Sequence, residues 1–349
     1  MPKKDGPIAE SVSTHKQIHH YHKQEDVNDY LGRIIGPRFT EYRRRWDAAG
    51  RFQLETEFPL FLVLELINVC NYRCPSCVHG YNDLRKLYQM GKAEEMDPKF
   101  YEKMIVEAEG YGCPSLCMNN IGEPTLMKGL VDRIEFARDH GFIDIMFNTN
   151  GLLLEKFLSP RFFESGLTRL MFSLDAFTAE TYAKTRVGGD FEKVLRNIDL
   201  FLEMRLKGGY KLPILRTTLV RSKLNEHEAD SFTKYWTDRA DYVSIQEFIS
   251  PRPGDDRFDG LFAESRVIEE NPQCPQPWQY ISVKPNGDVA PCCAMFSDMI
   301  KIGNAKTTSL HELWMSPYFK FLRDIHKQGR YFDDPTCKAC LENSVAHKP

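Results

Sequence analysis

Three cysteines stand close together in the stretch "CNYRCPSC", where Cys70, Cys74 and Cys77 have the spacing C-x3-C-x2-C. Three thiols are one ligand short of the four that a closed structural zinc site uses, and His79 could supply the fourth. A [4Fe–4S] cube is the alternative, because it takes one thiolate per iron and close spacing can wrap a loop around three corners. Three thiolates would then leave one iron open to a ligand.

A second group of thiols lies near the end of the chain. Cys274, Gly287 and Cys292 fit C-x12-G-x4-C, and Cys337 and Cys340 form C-x2-C. Four thiols can close around one iron–sulfur cluster, and they cannot ligate two complete ones. A zinc site built from a hairpin pair and a C-x2-C pair has similar spacing, so zinc stays open as a second hypothesis.

Composition limits the kind of protein that carries these thiols. The 349 residues are 42% hydrophobic and 27% charged, as in ordinary globular proteins, and the formal net charge of -3 gives no reason to expect nucleic acid. The longest apolar run, "FPLFLVLELINVC", is interrupted by Glu65, so we expect no membrane span. The N-terminus lacks the apolar segment of a secretory signal. We therefore expect a cytoplasmic protein whose cysteines stay reduced and serve metal or catalytic sites.

The elements that must position these groups alternate regularly along the chain. Apolar, β-rich runs predict strands at 61–67, 115–120, 143–148, 168–174, 213–220 and 242–248. Helical patterns lie between them, for example at 97–112, 126–141 and 190–209. Such alternation predicts a parallel α/β sheet, and six units are too few for a closed eight-fold barrel. We therefore predict a partial, open (β/α)6 TIM-like barrel.

Polar or cysteine-rich features follow four successive predicted strands: "CNYRCPSC", "IGEPTL", "NTNG" and "SLDA". Parallel α/β folds gather their chemistry at the C-terminal ends of strands. We therefore expect these four segments to meet at one end of the barrel.

Four segments are predicted along the chain. Residues 1–57 form a helical, partly mobile extension, in which we expect the tract "HKQIHHYHK" to be solvated rather than a metal site. Residues 58–250 form the partial barrel, and residues 251–273, rich in Pro, Gly and charge, form a linker. Residues 274–349 form a small unit with a β-hairpin turning at Asn286-Gly287, followed by one or two helices.

The triple-cysteine motif after the first strand, together with "GEP" after the second, resembles the radical SAM superfamily. The resemblance covers about residues 58–250 and implies the partial barrel already predicted. It also implies that Cys70, Cys74 and Cys77 hold a [4Fe–4S] cluster whose open iron binds S-adenosylmethionine (SAM). One electron then cleaves SAM to a 5′-deoxyadenosyl radical, which takes a hydrogen atom from the substrate.

Further positions match the family's SAM-binding motifs. The resemblance assigns "GEP" to the SAM amine, although Ile121 stands where a glycine is common. It assigns "SLDA" to the ribose and the arginine of "YAKTRVGG" to the SAM carboxylate, while "NTNG" is an equally ordinary turn. The implied cofactor-binding residues are Gly122, Glu123, Pro124, Asn150, Ser173, Asp175 and Arg186.

The C-terminal segment is similar to the auxiliary-cluster extension called SPASM, in its shorter "twitch" form. This implies an auxiliary [4Fe–4S] cluster held by the later thiols, Cys274, Cys292, Cys337 and Cys340. Of the remaining cysteines, Cys113 and Cys117 are expected to pack in the core. The alternative is that Cys117 or Cys293 gives a hydrogen atom to a substrate radical.

These features predict a radical SAM oxidoreductase that dehydrogenates a small polar substrate, such as a sugar or aminocyclitol, with the auxiliary cluster accepting an electron. A radical SAM epimerase, a peptide- or protein-modifying maturase and a non-catalytic zinc protein are the alternatives. The expected partners are a small-molecule or peptide substrate and a one-electron donor such as flavodoxin or ferredoxin. Neither nucleic acid nor a membrane is expected.

Overall fold

The structure, a computed structural model, describes residues 9–12, 18–90, 93–264, 274–294, 300 and 302–345. Within these residues no helix is both long and apolar enough to span a membrane. The strands are β1 (Ala9–Val12), β2 (Ile18–His22), β3 (Phe61–Leu64), β4 (Ser115–Cys117), β5 (Asp144–Thr149), β6 (Arg169–Ser173), β7 (Ile214–Arg221), β8 (Tyr242–Glu247), β9 (Tyr280–Val283), β10 (Asp288–Ala290) and β11 (Gly303–Asn304).

Thirteen α-helices are assigned in the described residues. They are α1 (Val27–Ile35), α2 (Pro37–Gly50), α3 (Asn82–Leu87), α4 (Pro98–Gly110), α5 (Leu130–Asp139), α6 (Pro160–Glu164), α7 (Ala179–Thr185), α8 (Phe191–Lys207), α9 (Ala229–Thr237), α10 (Gln276–Gln279), α11 (Leu310–Trp314), α12 (Pro317–Lys327) and α13 (Pro335–Val345).

All described strands join one sheet in the order β1-β2-β8-β7-β6-β5-β4-β3-β9-β10-β11. The six strands from β3 to β8 are parallel and follow one another in chain order. Helices lie between successive strands of this set, as parallel crossover connections require. The structure therefore confirms the predicted partial (β/α)6 barrel and its C-terminal extension.

Successive side chains of each parallel strand point alternately to the outer and the inner face of the barrel wall. Fully buried residues of the six strands pack in one core with the outer helices: Leu62, Leu116, Ile145, Leu170, Leu215 and Val243. Helices contribute residues such as Met104 and Ile198 to this core. The intervening strand residues face inward and line the central cavity, and they include Val63, Cys117, Met146, Met171 and Arg216.

The C-terminal unit continues the sheet. β9 pairs in parallel with β3, and β10 pairs antiparallel with β9. The hairpin predicted at Asn286-Gly287 is confirmed, and Gly287 has the positive φ of 92° that such a turn favours. A capping box at Ser309 and Glu312 begins α11, and α13 carries the C-x2-C pair.

The expectation that the histidine-rich tract is solvated is wrong for its described part. Residues 18–22 form β2, which pairs antiparallel with β8 along its whole length. His22 is 2% exposed and stacks on Tyr242, with ring centroids 6.0 Å apart. The rest of the tract, including His15, lies outside the described residues.

The predicted linker is also more ordered than expected where it is described. Within 251–264, Phe258 is fully buried in a cluster with Val78 and Leu84. The remainder, residues 265–273, lies outside the described residues. Two strands are shorter than predicted, since β3 ends at Leu64 and β4 at Cys117 before the loops that carry the candidate site.

Candidate functional site

The triple-cysteine loop follows β3 at the C-terminal end of the barrel. Its thiols line the central cavity, and its backbone is held locally because Cys77 N donates to Cys74 O at 3.1 Å. Tyr72 N donates to Cys70 Sγ at 3.4 Å, and Arg73 N donates to Val187 O at 2.8 Å. The last contact ties the loop to the segment after α7, so the thiols are placed by two parts of the chain.

Burial controls the protonation of these thiols. It raises the pKa of Cys70 to about 11 and the pKa of Cys77 to about 12, and it also raises the pKa of Cys74. Without a metal they are neutral, and a bound metal would deprotonate them. Among the residues described, no three His, Cys, Asp or Glu side chains converge to hold a single metal ion. A cube of four irons needs a wider arrangement, in which each thiolate meets its own iron.

His79 is the possible fourth ligand named for a zinc site. It is 2% exposed and lines the same cavity, and its Nε2 is buried without a hydrogen-bond partner. Burial lowers its pKa to about 4, so the imidazole is neutral at physiological pH. The buried nitrogen can therefore serve a bound group in the cavity.

The "IGEP" loop is held by Glu65, the charged residue that interrupts the apolar run of the first predicted strand. The Glu65 carboxylate accepts hydrogen bonds from the backbone N of Asn120, Ile121 and Gly122, at 3.0, 2.7 and 2.8 Å. A Cβ at Gly122 would lie 1.9 Å from Ile67 O, so only glycine fits there. Burial raises the pKa of Glu65 to about 7, although the three N–H donors oppose this shift. A charged residue at the end of a buried strand was the available signal.

Glu123 organises the next turn of the site. Its carboxylate accepts from Thr125 Oγ1 at 2.6 Å, Thr149 Oγ1 at 2.7 Å and Asn150 N at 2.8 Å. These bonds join the loop after β4 to the end of β5, and Pro124 begins a single 3-10 turn between them. Both carboxylate oxygens of Glu123 are thus engaged by the protein, so it also has a positioning role.

Asn150 reaches back towards the cysteine loop. Its Nδ2 donates to Asn71 Oδ1 at 2.8 Å and lies 3.9 Å from Cys70 Sγ. The turn residue is therefore placed at the edge of the cluster site. Ser173 ends β6 and lines the same cavity.

Asp175 and Arg186 form a buried ion pair that the sequence did not indicate. Arg186 Nη2 lies 2.7 Å from Asp175 Oδ2, and Arg186 Nη1 lies 3.8 Å from Cys74 Sγ. Burial raises the pKa of Asp175, and the neighbouring guanidinium opposes that shift. Arg186 Nε is buried with no hydrogen-bond partner in the structure. Arg186 thus keeps a donor for a further acceptor beside the cysteine loop, whereas Asp175 serves mainly to hold it.

The four later thiols come from three separate segments and lie near one another. Cys292 and Cys337 each lie within electrostatic range of Cys274 and Cys340. Burial raises the pKa of Cys274 to about 12 and strongly raises the pKa of Cys292. The four partly buried thiols have the number and character that one fully ligated cluster requires.

Asp334 positions the C-x2-C pair and was missed in the sequence. It accepts from Thr336 N at 2.9 Å and Cys337 N at 2.8 Å at the start of α13, and Tyr318 Oη donates to its second oxygen at 2.5 Å. An Asp directly before the first residue of a helix is a capping signal that the sequence does offer.

Two further thiols meet in the central cavity, whose volume is about 1300 Å³. Cys117 Sγ donates to Asn119 O at 3.1 Å, and Cys293 Sγ accepts from Tyr280 Oη at 3.0 Å. The exposed side of Cys293 faces this cavity. Cys113 lies instead in the core between barrel and helices, with its Sγ 3.7 Å from Ser115 O. The expectation of simple core packing is therefore incomplete for Cys117, which also lines the cavity.

The comparisons with known proteins agree with this geometry. The model of the radical SAM superfamily matches residues 64–232, and the model of the SPASM iron–sulfur cluster-binding domain matches residues 274–341. The chain belongs to the radical SAM superfamily and carries a SPASM domain. It therefore binds a [4Fe–4S] cluster with SAM and an auxiliary iron–sulfur cluster, as predicted, and the non-catalytic zinc alternative is not retained.

Among curated proteins, the chain is similar to a probable GTP 3′,8-cyclase of Archaeoglobus fulgidus, with 30% identity over 58% of this chain and 63% of that protein. It is also similar to a 7,8-dihydro-6-hydroxymethylpterin dimethyltransferase of Methanocaldococcus jannaschii, with 27% identity over 52% of this chain and 34% of that protein. The matches cover between 30% and 63% of such relatives' own length.

Two solved structures share the fold. One is anSMEcpe with bound AdoMet, at a TM-score of 0.58 and 16% identity over 83% of this chain and 88% of that one. The other is BtrN in complex with AdoMet and 2-DOIA, at a TM-score of 0.51 and 16% identity over 84% and 97%. Likeness at this level of identity shows the fold and leaves the substrate open.

Proposed function

We propose that this radical SAM enzyme dehydrogenates a small polar substrate, such as a sugar or aminocyclitol, with the auxiliary cluster as electron acceptor. When bound, SAM and the first cluster supply the radical that removes a hydrogen atom from the substrate. The observation that carries the proposal is the position of the four-thiol set beside the cavity. Cys292 is followed directly by Cys293, which lines the cavity, so an acceptor held there would adjoin the substrate.

The proposed roles of the chain's own residues follow from their contacts. Cys70, Cys74 and Cys77 hold the first cluster, and Cys274, Cys292, Cys337 and Cys340 hold the second. Gly122, Pro124 and Glu123 shape the loop for the SAM amine, Ser173 and Asn150 line its path, and Arg186 binds its carboxylate while Asp175 orients the guanidinium. The barrel wall excludes water from these steps.

The size of the cavity supports two occupants. Ligand sites for one small molecule commonly measure about 300–1,000 Å³. A cavity of about 1300 Å³ therefore has room for SAM and a small substrate together. BtrN binds AdoMet and 2-DOIA, which favours a small substrate by analogy, whereas SuiB bound to the precursor peptide SuiA represents the peptide alternative.

The proposal is tested by removing two ligands of the auxiliary cluster while the triple-cysteine loop is kept. We expect Cys337→Ala/Cys340→Ala to retain 5′-deoxyadenosine formation with SAM and dithionite, because the triple-cysteine loop is untouched. A panel of sugars and aminocyclitols, analysed by mass spectrometry, should yield a product two hydrogens lighter with the wild type and none with the variant. An unchanged yield of oxidised product in the variant would reject the proposal.

An epimerase is the second candidate, and the two thiols in the cavity favour it. Cys117 or Cys293 could return a hydrogen atom to the opposite face of a substrate radical. In D2O such a thiol exchanges its hydrogen, so the product would gain one deuterium and keep its oxidation state. Cys117→Ser and Cys293→Ser would each show which thiol supplies it.

We further propose a cytoplasmic location and reduction of the clusters by flavodoxin or ferredoxin. A one-electron reductant of low potential is what a [4Fe–4S] cluster of this type needs. Replacing dithionite with purified flavodoxin or ferredoxin in the 5′-deoxyadenosine assay tests the donor directly.

A further inference from the structure

Arg216 lines the cavity wall, and none of the described carboxylates pairs with it. Arg216 lies on β7 between Met171 of β6 and Tyr242 of β8. Its Nη2 donates to Asn148 Oδ1 at 3.0 Å, and its Nε is buried without a hydrogen-bond partner. Across the part of the chain that the structure describes, no ion pair involves Arg216.

Three other arginines, two on the parallel strands and one beside the cysteine loop, are each paired with a carboxylate of the protein. Arg169 pairs with Asp144 at 2.8 Å, and Arg186 pairs with Asp175 at 2.7 Å. Arg221 pairs with Glu247 at the end of β7. Arg216 is half-buried and lines the cavity, and no ion pair with a described carboxylate neutralises it, so its guanidinium is available to an anionic ligand.

The neighbour of Arg216 adds a second donor. Because a guanidinium can only donate, Asn148 must turn its Oδ1 towards Arg216, which leaves its Nδ2 to donate elsewhere. Asn148 also lines the cavity, two residues before Asn150 at the edge of the cluster site. Two side chains thus present N–H groups together, which matches an oxygen-rich anion.

Arg216 also faces groups on two other strands of the cavity wall. It lies within electrostatic range of Cys117 on β4 and of His20 on β2. His20 shares a hydrogen bond of 2.7 Å with Ser244 Oγ, so it is already oriented by the neighbouring strand. An anion on Arg216 would therefore hold the rest of a substrate between the cysteine loop and the cavity thiols.

We propose that Arg216 and Asn148 form an anion-binding subsite, and that the substrate is a sugar or cyclitol bearing a carboxylate or a phosphate. This rests on the proposed function for the choice of scaffold. The subsite itself is defined by the unpaired guanidinium and its amide neighbour.

The proposal is tested by ligand binding and not by turnover. The result therefore does not depend on whether the enzyme is a dehydrogenase or an epimerase. Anaerobic calorimetry on the SAM-loaded holoenzyme would compare glucose 6-phosphate, glucuronate and glucose. One of the two anionic probes should bind at least about tenfold more tightly than glucose, since charge-assisted bonds are the stronger kind. Which anion binds more tightly distinguishes phosphate from carboxylate.

Matched arginine variants locate the effect. Arg216→Gln should remove the preference for the anion, and Arg216→Lys, which keeps the charge, should retain part of it. Asn148→Ala should weaken the preference by a smaller factor. Arg43→Gln is the control, because Arg43 also lines the cavity but stacks over Trp46, with its Cζ 5.3 Å from the ring centroid. Iron content and melting temperature check that each variant is folded.

Two results would overturn the proposal. If neither anionic probe binds the wild type more tightly than glucose does, an anion subsite is excluded. A loss of preference in Arg43→Gln but not in Arg216→Gln would place the anion elsewhere. If Arg216→Gln does not fold, the anion preference is measured in Arg216→Lys instead. The paired subsite is rejected if that preference is unchanged in Arg216→Lys and Asn148→Ala binds the anion with full wild-type affinity.

Discussion

The two cysteine groups are built in opposite ways. The first is one loop between β3 and α3, in which Cys74 and Cys77 are joined by a backbone hydrogen bond. The second draws Cys274, Cys292 and the C-x2-C pair from segments far apart in the chain. In the proposed assignment a local loop supplies three ligands and leaves a position for SAM, whereas a set gathered by the tertiary fold supplies four. The difference indicates that the first site is built to exchange a ligand and the second to remain closed.

The largest effect on activity is expected when a thiol of the triple-cysteine loop is removed. Cys74→Ala should reduce 5′-deoxyadenosine formation to background and lower the iron content from about eight per chain to about four. Cys113→Ala is the matched control, because Cys113 is a buried cysteine outside both groups. Anaerobic iron analysis and chromatography of the reaction measure both quantities.

The same pair of measurements sharpens the contrast with the second site. Loss of the auxiliary thiols should halve the iron content as well, yet keep 5′-deoxyadenosine formation. If SAM cleavage survived in Cys74→Ala, the assignment of the open site would be wrong.

A smaller effect is expected at the ion pair beside the first site. Arg186→Gln leaves Asp175 as an uncompensated buried carboxylate, which typically costs about 3–5 kcal/mol of stability. It should also weaken SAM binding at least about tenfold, because the carboxylate of SAM loses its partner. Denaturant unfolding and equilibrium dialysis with labelled SAM measure the two effects.

Arg169→Gln is the control for this loss of stability. It breaks the buried Arg169–Asp144 pair at the other end of the strands, where the contact is 2.8 Å. We expect comparable destabilisation with SAM affinity retained. Equal losses of SAM affinity in the two variants would mean that Arg186 acts only through stability.

The smallest effect concerns Glu65, which holds the loop beneath the open site. Its pKa is raised by burial from 4.5 to about 7, so the folded protein keeps a proton that the unfolded chain releases in this range. Stability conferred by this group is therefore present at low pH and is lost as the pH rises towards 7.

Glu65→Gln has no titrating group at this position. From pH 5 to 7.5 the free energy of unfolding of the wild type should fall relative to this variant by up to about 3 kcal/mol. Denaturant unfolding of both proteins across the range measures the difference. Parallel pH profiles would show that the Glu65 carboxyl is ionised throughout, held by its three N–H donors.

Much of the barrel could be predicted because its strands carry a strong local signal. β5, β6 and β7 are apolar runs whose observed ends lie within a residue of the predicted ones. The hairpin at Asn286-Gly287 and both cysteine groups are likewise local patterns in the sequence.

The features that were missed depend on distant parts of the chain. β2 reads "IHHYH" and lacks the apolar character of a strand, and its partner β8 lies more than two hundred residues away, as the His20–Ser244 contact at a separation of 224 shows. Glu65 and the Asp175–Arg186 pair acquire their roles only through backbone groups or charges that folding brings near. No spacing rule in one sequence reveals such contacts.

The parallel pairing of β9 with β3 has a consequence for dissecting the molecule. Residues Tyr280–Val283 cover the outer edge of β3, so the SPASM domain shields the first strand of the barrel. A fragment that ends before residue 274 would present that edge to solvent, and unpaired edges of this kind recruit strands from other molecules. The SPASM domain therefore also protects the barrel against aggregation, and a shortened barrel should be sought in inclusion bodies rather than in solution.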